Sequence, residues 1–454
     1  MEILSIKQLL NGYQKKQYSS NEVINYFLNS AIKTNKVLNH FITISNSTST
    51  DLKNAIPVAY KDIFSTKNVL STGASKILSN YVPPFNATVV SRLQDKNFVS
   101  IGKLNCDAFA HGASGENSDF GPTKNPYNTS LISGGSSSGS AAAVAALSCL
   151  VATATDTGGS IRNPASYCNV VGLKPTYGRV SRYGVFSMTS STDSIGHITK
   201  TVWDSAYVLE QTAGVDYNDS TSSNKPVPKY TKNIDAIDIK NLKIGLPKEY
   251  FDNSVDKNIK NKVMESVNIL KKLGAKVVDV SLPNTKYGVA SYYIITPSEV
   301  SSNLARITGL RYGKTRENFG DEAVRRIMIG TFSLSSGYYD AYYAKAQKVR
   351  NALANDFKKV FETVDVLIAP VVPIMPPKIG EQVNDPLKNY LMDALTIPVN
   401  MAGLPALSVP SGFINNLPVG LQIIGPKFSE ELLFKVGKKI EDNTEYYKIL
   451  PKIK

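Results

Sequence analysis

Apolar and polar positions along this chain switch repeatedly between helical and strand periods. Near the N-terminus, Ser19-Ser-Asn-Glu22 has the form of a capping box, followed by Val23, Ile24, Phe27 and Leu28 at helical spacing, which predicts a helix. Residues 56–63 form an apolar run with the length of a buried strand, interrupted by Lys61. Asn86 is the expected cap of a helix running to Lys96, and residues 98–104 read as the next strand. An alanine run from Ser140 predicts a helix, and residues 150–155 a further strand. This β-α-β succession predicts an α/β fold, a large mixed β-sheet flanked by helices on both faces.

Residues 215–237 turn polar and rich in Ser, Asn and Pro, the pattern of a long surface loop. Strands are expected beyond it at 242–247, 276–282, 366–370, 406–410 and 419–425, and helices at 256–273 and 338–363. The loop could divide the chain, but strands on its two sides can equally join one sheet. The expectation is a single domain over residues 1–454, with no internal repeat.

Composition narrows the class. The 454 residues are 42% hydrophobic, which is ample for a core, and no apolar run reaches the ~18 residues of a membrane helix. The N-terminus lacks a basic start followed by an apolar block, so a cytoplasmic location is expected. With 51 basic and 37 acidic residues the net charge is +14. No Arg/Lys block interleaves with aromatics, so the excess reads as a general surface property, and any RNA contact is expected mainly through a partner. Cys106, Cys149 and Cys168 show no Cys-x-x-Cys spacing, so neither a disulfide framework nor a zinc site is indicated. Of the three histidines, His111 in Phe-Ala-His-Gly comes nearest to a catalytic context; a structural role is expected for all of them.

The chemistry concentrates in two serine- and glycine-rich turns. Gly134-Gly-Ser-Ser-Ser-Gly-Ser runs into Ala-Ala-Ala-Val, and Asp156-Thr-Gly-Gly-Ser-Ile-Arg162 follows a strand. A flexible linker does not run straight into a helix former and then a strand. Glycine lets backbone N–H groups approach a ligand, and serine supplies a hydroxyl that attacks a carbonyl once a base takes its proton. Lys61 supplies a candidate base, because burial lowers a lysine's pKa toward neutrality. An ion pair with Asp62 or another acid explains a buried lysine equally well.

Tyr60-Lys-Asp, Gly134-Gly-Ser-Ser-Ser-Gly-Ser and Asp156-Thr-Gly-Gly-Ser-Ile-Arg162 together resemble the amidase signature family, whose core would span about 56–200. That family uses a Ser–Ser–Lys triad without histidine. The resemblance implies Ser160 as nucleophile, Ser136 as bridging serine and Lys61 as base, with a cis peptide at the bridging serine. It also implies an oxyanion site at the backbone N–H groups of Thr157, Gly158 and Gly159. Later blocks, among them residues 173–184, 325–331, 335–343, 398–405 and 420–425, resemble the tRNA-dependent amidotransferase branch of the family.

That branch implies glutamine as substrate, with Arg326 on the α-carboxylate, Asp393 facing the α-ammonium and Tyr292 lining the pocket. It implies two protein partners, a tRNA-binding subunit that would carry ATP and magnesium and a small bridging subunit; this chain itself would need no cofactor or metal. A free-standing amidase acting on small amides is the alternative. Three departures stand out: Ser138 where the family has glycine, Ala108 where it has an acid, and a shorter stretch after Arg311-Tyr-Gly. Gly309-Leu-Arg-Tyr-Gly-Lys-Thr315 resembles a phosphate loop, but its spacer is one residue short and no strand precedes it.

Overall fold

The computed structural model describes residues 3–46, 51–236, 238–307, 314–381 and 385–453. The first seven strands are β1 (Phe41–Ile44), β2 (Ile56–Lys61), β3 (Phe98–Leu104), β4 (Lys124–Asn125), β5 (Asn128–Ile132), β6 (Val151–Asp156) and β7 (Val171–Lys174). The rest are β8 (Ser194–Thr199), β9 (Lys243–Pro247), β10 (Lys276–Val280), β11 (Val366–Pro370), β12 (Ala406–Ile414) and β13 (Leu417–Ile424). Eleven of them form one sheet in the order β1-β3-β2-β6-β8-β7-β12-β13-β11-β9-β10, and β4 pairs with β5 separately. The strands before and after residues 215–237 therefore share one sheet.

The sheet is mixed. β2 runs parallel to both β3 and β6, and β9 parallel to β10 and β11, while the other pairings are antiparallel. β2 and β6 are buried at every residue, as strands covered on both sides are. Helices flank the sheet, including Ser20–Leu38, Ser138–Ala145, Val202–Thr212, Lys257–Lys272 and Glu430–Thr444. Their apolar stripes join the strands in a continuous core that runs from Ile3 to Ile440.

Local chemistry explains most boundaries. The Ser19–Glu22 capping box is formed in both directions. Asn86 does not cap the following helix, which starts at Thr88 after Ala87. Its side chain is used elsewhere: Oδ1 accepts the Lys67 N–H at 2.7 Å and Nδ2 donates to Gln94 at 2.9 Å. The alanine-run helix starts at Ser138, two residues before the expected point. The expected helix over 338–363 is two pieces, a π-helical turn Tyr339–Ala344 and an α-helix Lys345–Val360. The polar loop is strapped down: Asp216 accepts from Ser181 and Thr88 at 2.5 Å each, and the carbonyls of Lys225 and Pro226 take the Arg179 guanidinium at 2.8 Å. Residues 309–313 of the phosphate-loop lookalike lie outside the described residues; the stretch that follows is a short turn, Arg316–Asn318, with Lys314 donating to the Lys76 carbonyl at 2.9 Å.

Candidate active site

Parallel strands β2 and β6 end side by side, and the turns that follow open at their carboxyl ends, where α/β sheets gather ligand-binding loops. Lys61 is the last residue of β2 and is fully buried. Its Nζ lies 2.8 Å from Ser136 Oγ, 3.0 Å from Ser137 Oγ and 3.0 Å from Thr155 Oγ1. Asp62 points elsewhere: it pairs with buried Lys103 at 3.8 Å and accepts from the Thr72 N–H at 2.8 Å. Of the two explanations for a buried lysine, the ion pair thus falls to Lys103, and Lys61 faces hydroxyls. Burial pulls the Lys61 amine down from 10.5 to about 8, against the opposing pull of Asp107, Asp156 and Asp193.

The first serine turn is shaped around this contact. A Cβ on Gly135 would stand 2.2 Å from Asp107 Oδ2, and one on Gly134 (φ +79°) 2.5 Å from Asn163 Oδ1, so only glycine fits either position. The Gly135–Ser136 peptide is cis. Ser137 stands at the N-cap of the helix Ser138–Ala145 but makes no capping bond; its hydroxyl takes Lys61 and donates to the Thr155 carbonyl at 3.2 Å. Ser138 is buried in the first helical turn, its hydroxyl donating to Thr123 at 3.3 Å, so the departure from glycine is accommodated.

The second turn is tied to the first, the Ser137 N–H donating to the Ser160 carbonyl at 3.1 Å. Its flanks are held by a buried ion pair. Arg162 donates to Asp156 through Nε and Nη2 at 3.0 Å each, to Gln422 at 2.9 Å and to the side chain of Asn400. Burial raises the Asp156 carboxyl, but Arg162 and Asn400 outweigh it and hold the group below its ordinary range. Thr157 is pinned through Oγ1 to Asp193 at 2.7 Å, and Asp193 takes the N–H groups of Met188 and Thr189. Among the described residues, no protein acceptor takes the N–H groups of Thr157, Gly158 or Gly159.

The remaining expected residues crowd these glycines. A Cβ on Gly158 would meet the Tyr292 ring and hydroxyl at 2.9 Å, and one on Gly159 would meet Asp393 Oδ1 at 2.6 Å. Asp393 accepts from Asn163 at 3.2 Å; burial, reinforced by the charge of Asp156, pushes its carboxyl up to about 8. Arg326 is on the helix Asp321–Ser333, its Nε donating to Glu322 at 2.8 Å and its guanidinium lying over the Tyr293 ring at 5.5 Å. Arg326 Nη1 is buried without a partner. His111 makes no contact with Lys61; both its ring nitrogens are buried and unpartnered, and burial with nearby Arg326 keeps it neutral.

Sequence reasoning assigned no role to Ser137, Thr155, Asp193 or Asn163. Ser137 and Thr155 carried a usable signal, each standing in a motif or strand beside a triad position. Asp193 and Asn163 enter only through the fold, from 36 residues beyond Thr157 and 230 before Asp393.

The amidase family model matches residues 5–434. A glutamyl-tRNA(Gln) amidotransferase subunit of Listeria welshimeri is 53% identical over 408 residues, covering 87% of this chain and 84% of that protein. The crystal structure of the corresponding glutamyl-tRNA(Gln) amidotransferase subunit from Thermotoga maritima matches with a TM-score of 0.89 at 42% identity, over 99% of this chain and 98% of that one. The peptide amidase of Stenotrophomonas maltophilia matches with a TM-score of 0.83 at 26% identity, over 99% and 98%. A family match over residues 5–434, with a relative 53% identical over most of its length, makes the chain a member of the amidase signature family.

Proposed function

We propose that this chain is a single amidase domain, the glutaminase subunit of a tRNA-dependent amidotransferase. It hydrolyses glutamine to glutamate and ammonia. A tRNA-binding subunit, joined by a small bridging subunit, uses the ammonia to convert Glu-tRNA(Gln), Asp-tRNA(Asn) or both to the amidated forms. ATP and magnesium act on the tRNA-binding subunit, and tRNA is held mainly there. The observation that carries the catalytic part is Lys61, fully buried against three hydroxyl oxygens with its neighbouring acid engaged elsewhere.

Neutral Lys61 accepts the Ser136 proton while Ser136 accepts that of Ser160, and Ser160 Oγ bonds to the amide carbon. The carbonyl electron pair moves onto oxygen, facing the N–H groups of Thr157, Gly158 and Gly159; loss of one such donor raises the barrier by ~3–4 kcal/mol. The proton returns from Lys61 through Ser136 to the leaving nitrogen, the C–N bond breaks and ammonia departs, leaving an ester on Ser160. Water, deprotonated by the same relay, attacks the ester and releases the acid.

Arg326 Nη1, buried and unpartnered, suits the substrate carboxylate, and a planar guanidinium takes that group bidentately. Asp393 faces the ammonium beside Tyr292. A carboxyl at about 8 is mostly protonated at neutral pH, so a bound cation displaces its proton, and part of the binding energy is spent on that ionisation.

The rival reading is a free-standing amidase of small amides with the same relay. Ammonia release from glutamine, measured with and without the partner subunits and charged tRNA, separates the two. Glutamine turnover that rises on adding the partners supports the subunit reading. Faster turnover of small amides than of glutamine, unmoved by the partners, supports the rival.

A further inference from the structure

The helix Asp321–Ser333 wears its apolar face outward. Its buried residues are Ala323, Arg326, Gly330 and Ser333, small or polar throughout. It lies so close to the helix Gly288–Leu304 that a Cβ on Gly330 would stand 1.9 Å from the Pro297 carbonyl oxygen. With its packing stripe given to small residues, the large side chains face solvent: Val324, Ile329, Met328 at 66% exposure and Phe332 at 51%. The following segment extends the same surface. The turn Tyr339–Ala344 buries no side chain, and exposed Tyr338 and Tyr342 lie against Phe332 with ring centroids 4.2 and 6.2 Å away.

These six side chains, about half exposed, present roughly 600 Å², at the top of the ~300–600 Å² patch of an ordinary monomer and most of the ~800 Å² a standard interface takes per partner. Beyond the helix N-terminus the surface drops into a cleft lined by Glu116, Asp119, Asp321 and Glu322, with Arg325, paired to Glu322, the one cation among the described lining residues. An acidic cleft is unusual on a chain of net charge +14.

We infer that this face is the docking surface for the tRNA-binding partner, through a partner segment whose apolar side chains are bordered by lysine or arginine. The inference rests on the functional reading above. Area calls for a stable protein partner, and the acidic border sets that partner's charge. The surface also has a consequence for the reaction. Arg326 sits on the buried side of the helix whose outer side makes the patch, so docking fixes the element that presents the guanidinium to the substrate, and partner binding and glutamine binding are linked through it.

The test is the chain carrying Met328→Asp and Phe332→Asp, co-expressed with the tRNA-binding and bridging subunits of the same organism and sized by light scattering. The wild type is expected to elute as the complex. The double variant is expected to elute as a free chain with unchanged circular dichroism, its affinity for the partners lower by on the order of 100-fold, and its glutaminase stimulation by them lost. Tyr217→Asp, on a side chain 97% exposed outside the patch, should assemble like the wild type. Tyr342→Glu, outside the helix, repeats the test should the double variant misfold. Assembly of the folded double variant at wild-type affinity overturns the inference, as does a wild-type homodimer that the double variant splits. A wild-type chain that never joins the partners overturns the functional reading, and the docking surface falls with it.

Discussion

The protonation of Lys61 sets a measurable limit on the rate. With its amine at about 8, roughly one molecule in eleven carries the neutral base at pH 7 and about ten in eleven at pH 9. If the relay starts on that lone pair, kcat for amide hydrolysis rises about tenfold over this interval, along a limb that approaches unit slope below about pH 7 and levels off above about pH 9, whereas kcat/KM also carries the ionisation of Asp393 in the same range. Asp107, Asp156 and Asp193 favour the charged amine. Asp107→Asn removes one of these charges and should move the limb to lower pH, with folding checked by circular dichroism. The assay is ammonia release at saturating glutamine between pH 6 and 10, with a stability control at each pH. A flat profile across pH 7–9, or a limb that stays in place in a folded Asp107→Asn protein, refutes the reasoning.

Three other outcomes follow from named contacts. The unfolded chain keeps the lysine proton up to about 10.5 and the folded chain sheds it above about 8, so stability rises with pH through that window, and the cost of burying the charge, ~3 kcal/mol, is present in full below 8. Lys61→Met should therefore abolish turnover while leaving Tm at pH 7 equal or higher; a steep fall in Tm would mark Lys61 as a structural ion-pair partner. Arg326→Lys keeps the charge but loses the planar fork, and should raise KM for glutamine about 10–100-fold with a smaller effect on kcat; equal losses in both, by steady-state kinetics, would place Arg326 in the transition state instead. Arg162→Ala leaves Asp156 charged and buried without its partner, and should cost about 3–5 kcal/mol in denaturant unfolding; a loss under 1 kcal/mol would show the clamp to be dispensable.

Much of this molecule was legible from local pattern, and the exceptions have physical causes. β2 could be read because a strand parallel to both its neighbours is a short, nearly continuous apolar run, and β3 and β6 from short stretches rich in apolar and β-branched residues. β8 escaped because Ser-Ile-Gly-His-Ile-Thr has neither alternation nor a continuous run, and its burial comes from β6 and β7 on either side. Asn86 looked like a cap because residue type reports what a side chain can do, while Lys67 and Gln94 decided what it does. The break at Tyr339–Ala344 fell inside a sequence of uniform helical pattern, where five-residue spacing leaves no compositional mark.

The site divides the same way. Motif residues located the two serine turns and Lys61, yet the lysine's role stayed open because its surroundings come from residues 75 to 94 positions away. Only the folded sheet shows that Asp62 is engaged by Lys103. Asn163 was invisible for a similar reason: its contact with Asp393 spans 230 residues and has no local signature.

Covalent trapping tests the central claim, a serine hydroxyl activated by an uncharged amine, most directly. Wild-type and Lys61→Met chains are exposed to an activated phosphonate at pH 8, and the adduct is located by peptide mass mapping with its rate of formation. The expected result is a single adduct on Ser160, formed about 10²–10⁴-fold more slowly without the lysine. An adduct on a different residue, or labelling of Ser160 at an undiminished rate in the folded Lys61→Met chain, would contradict it.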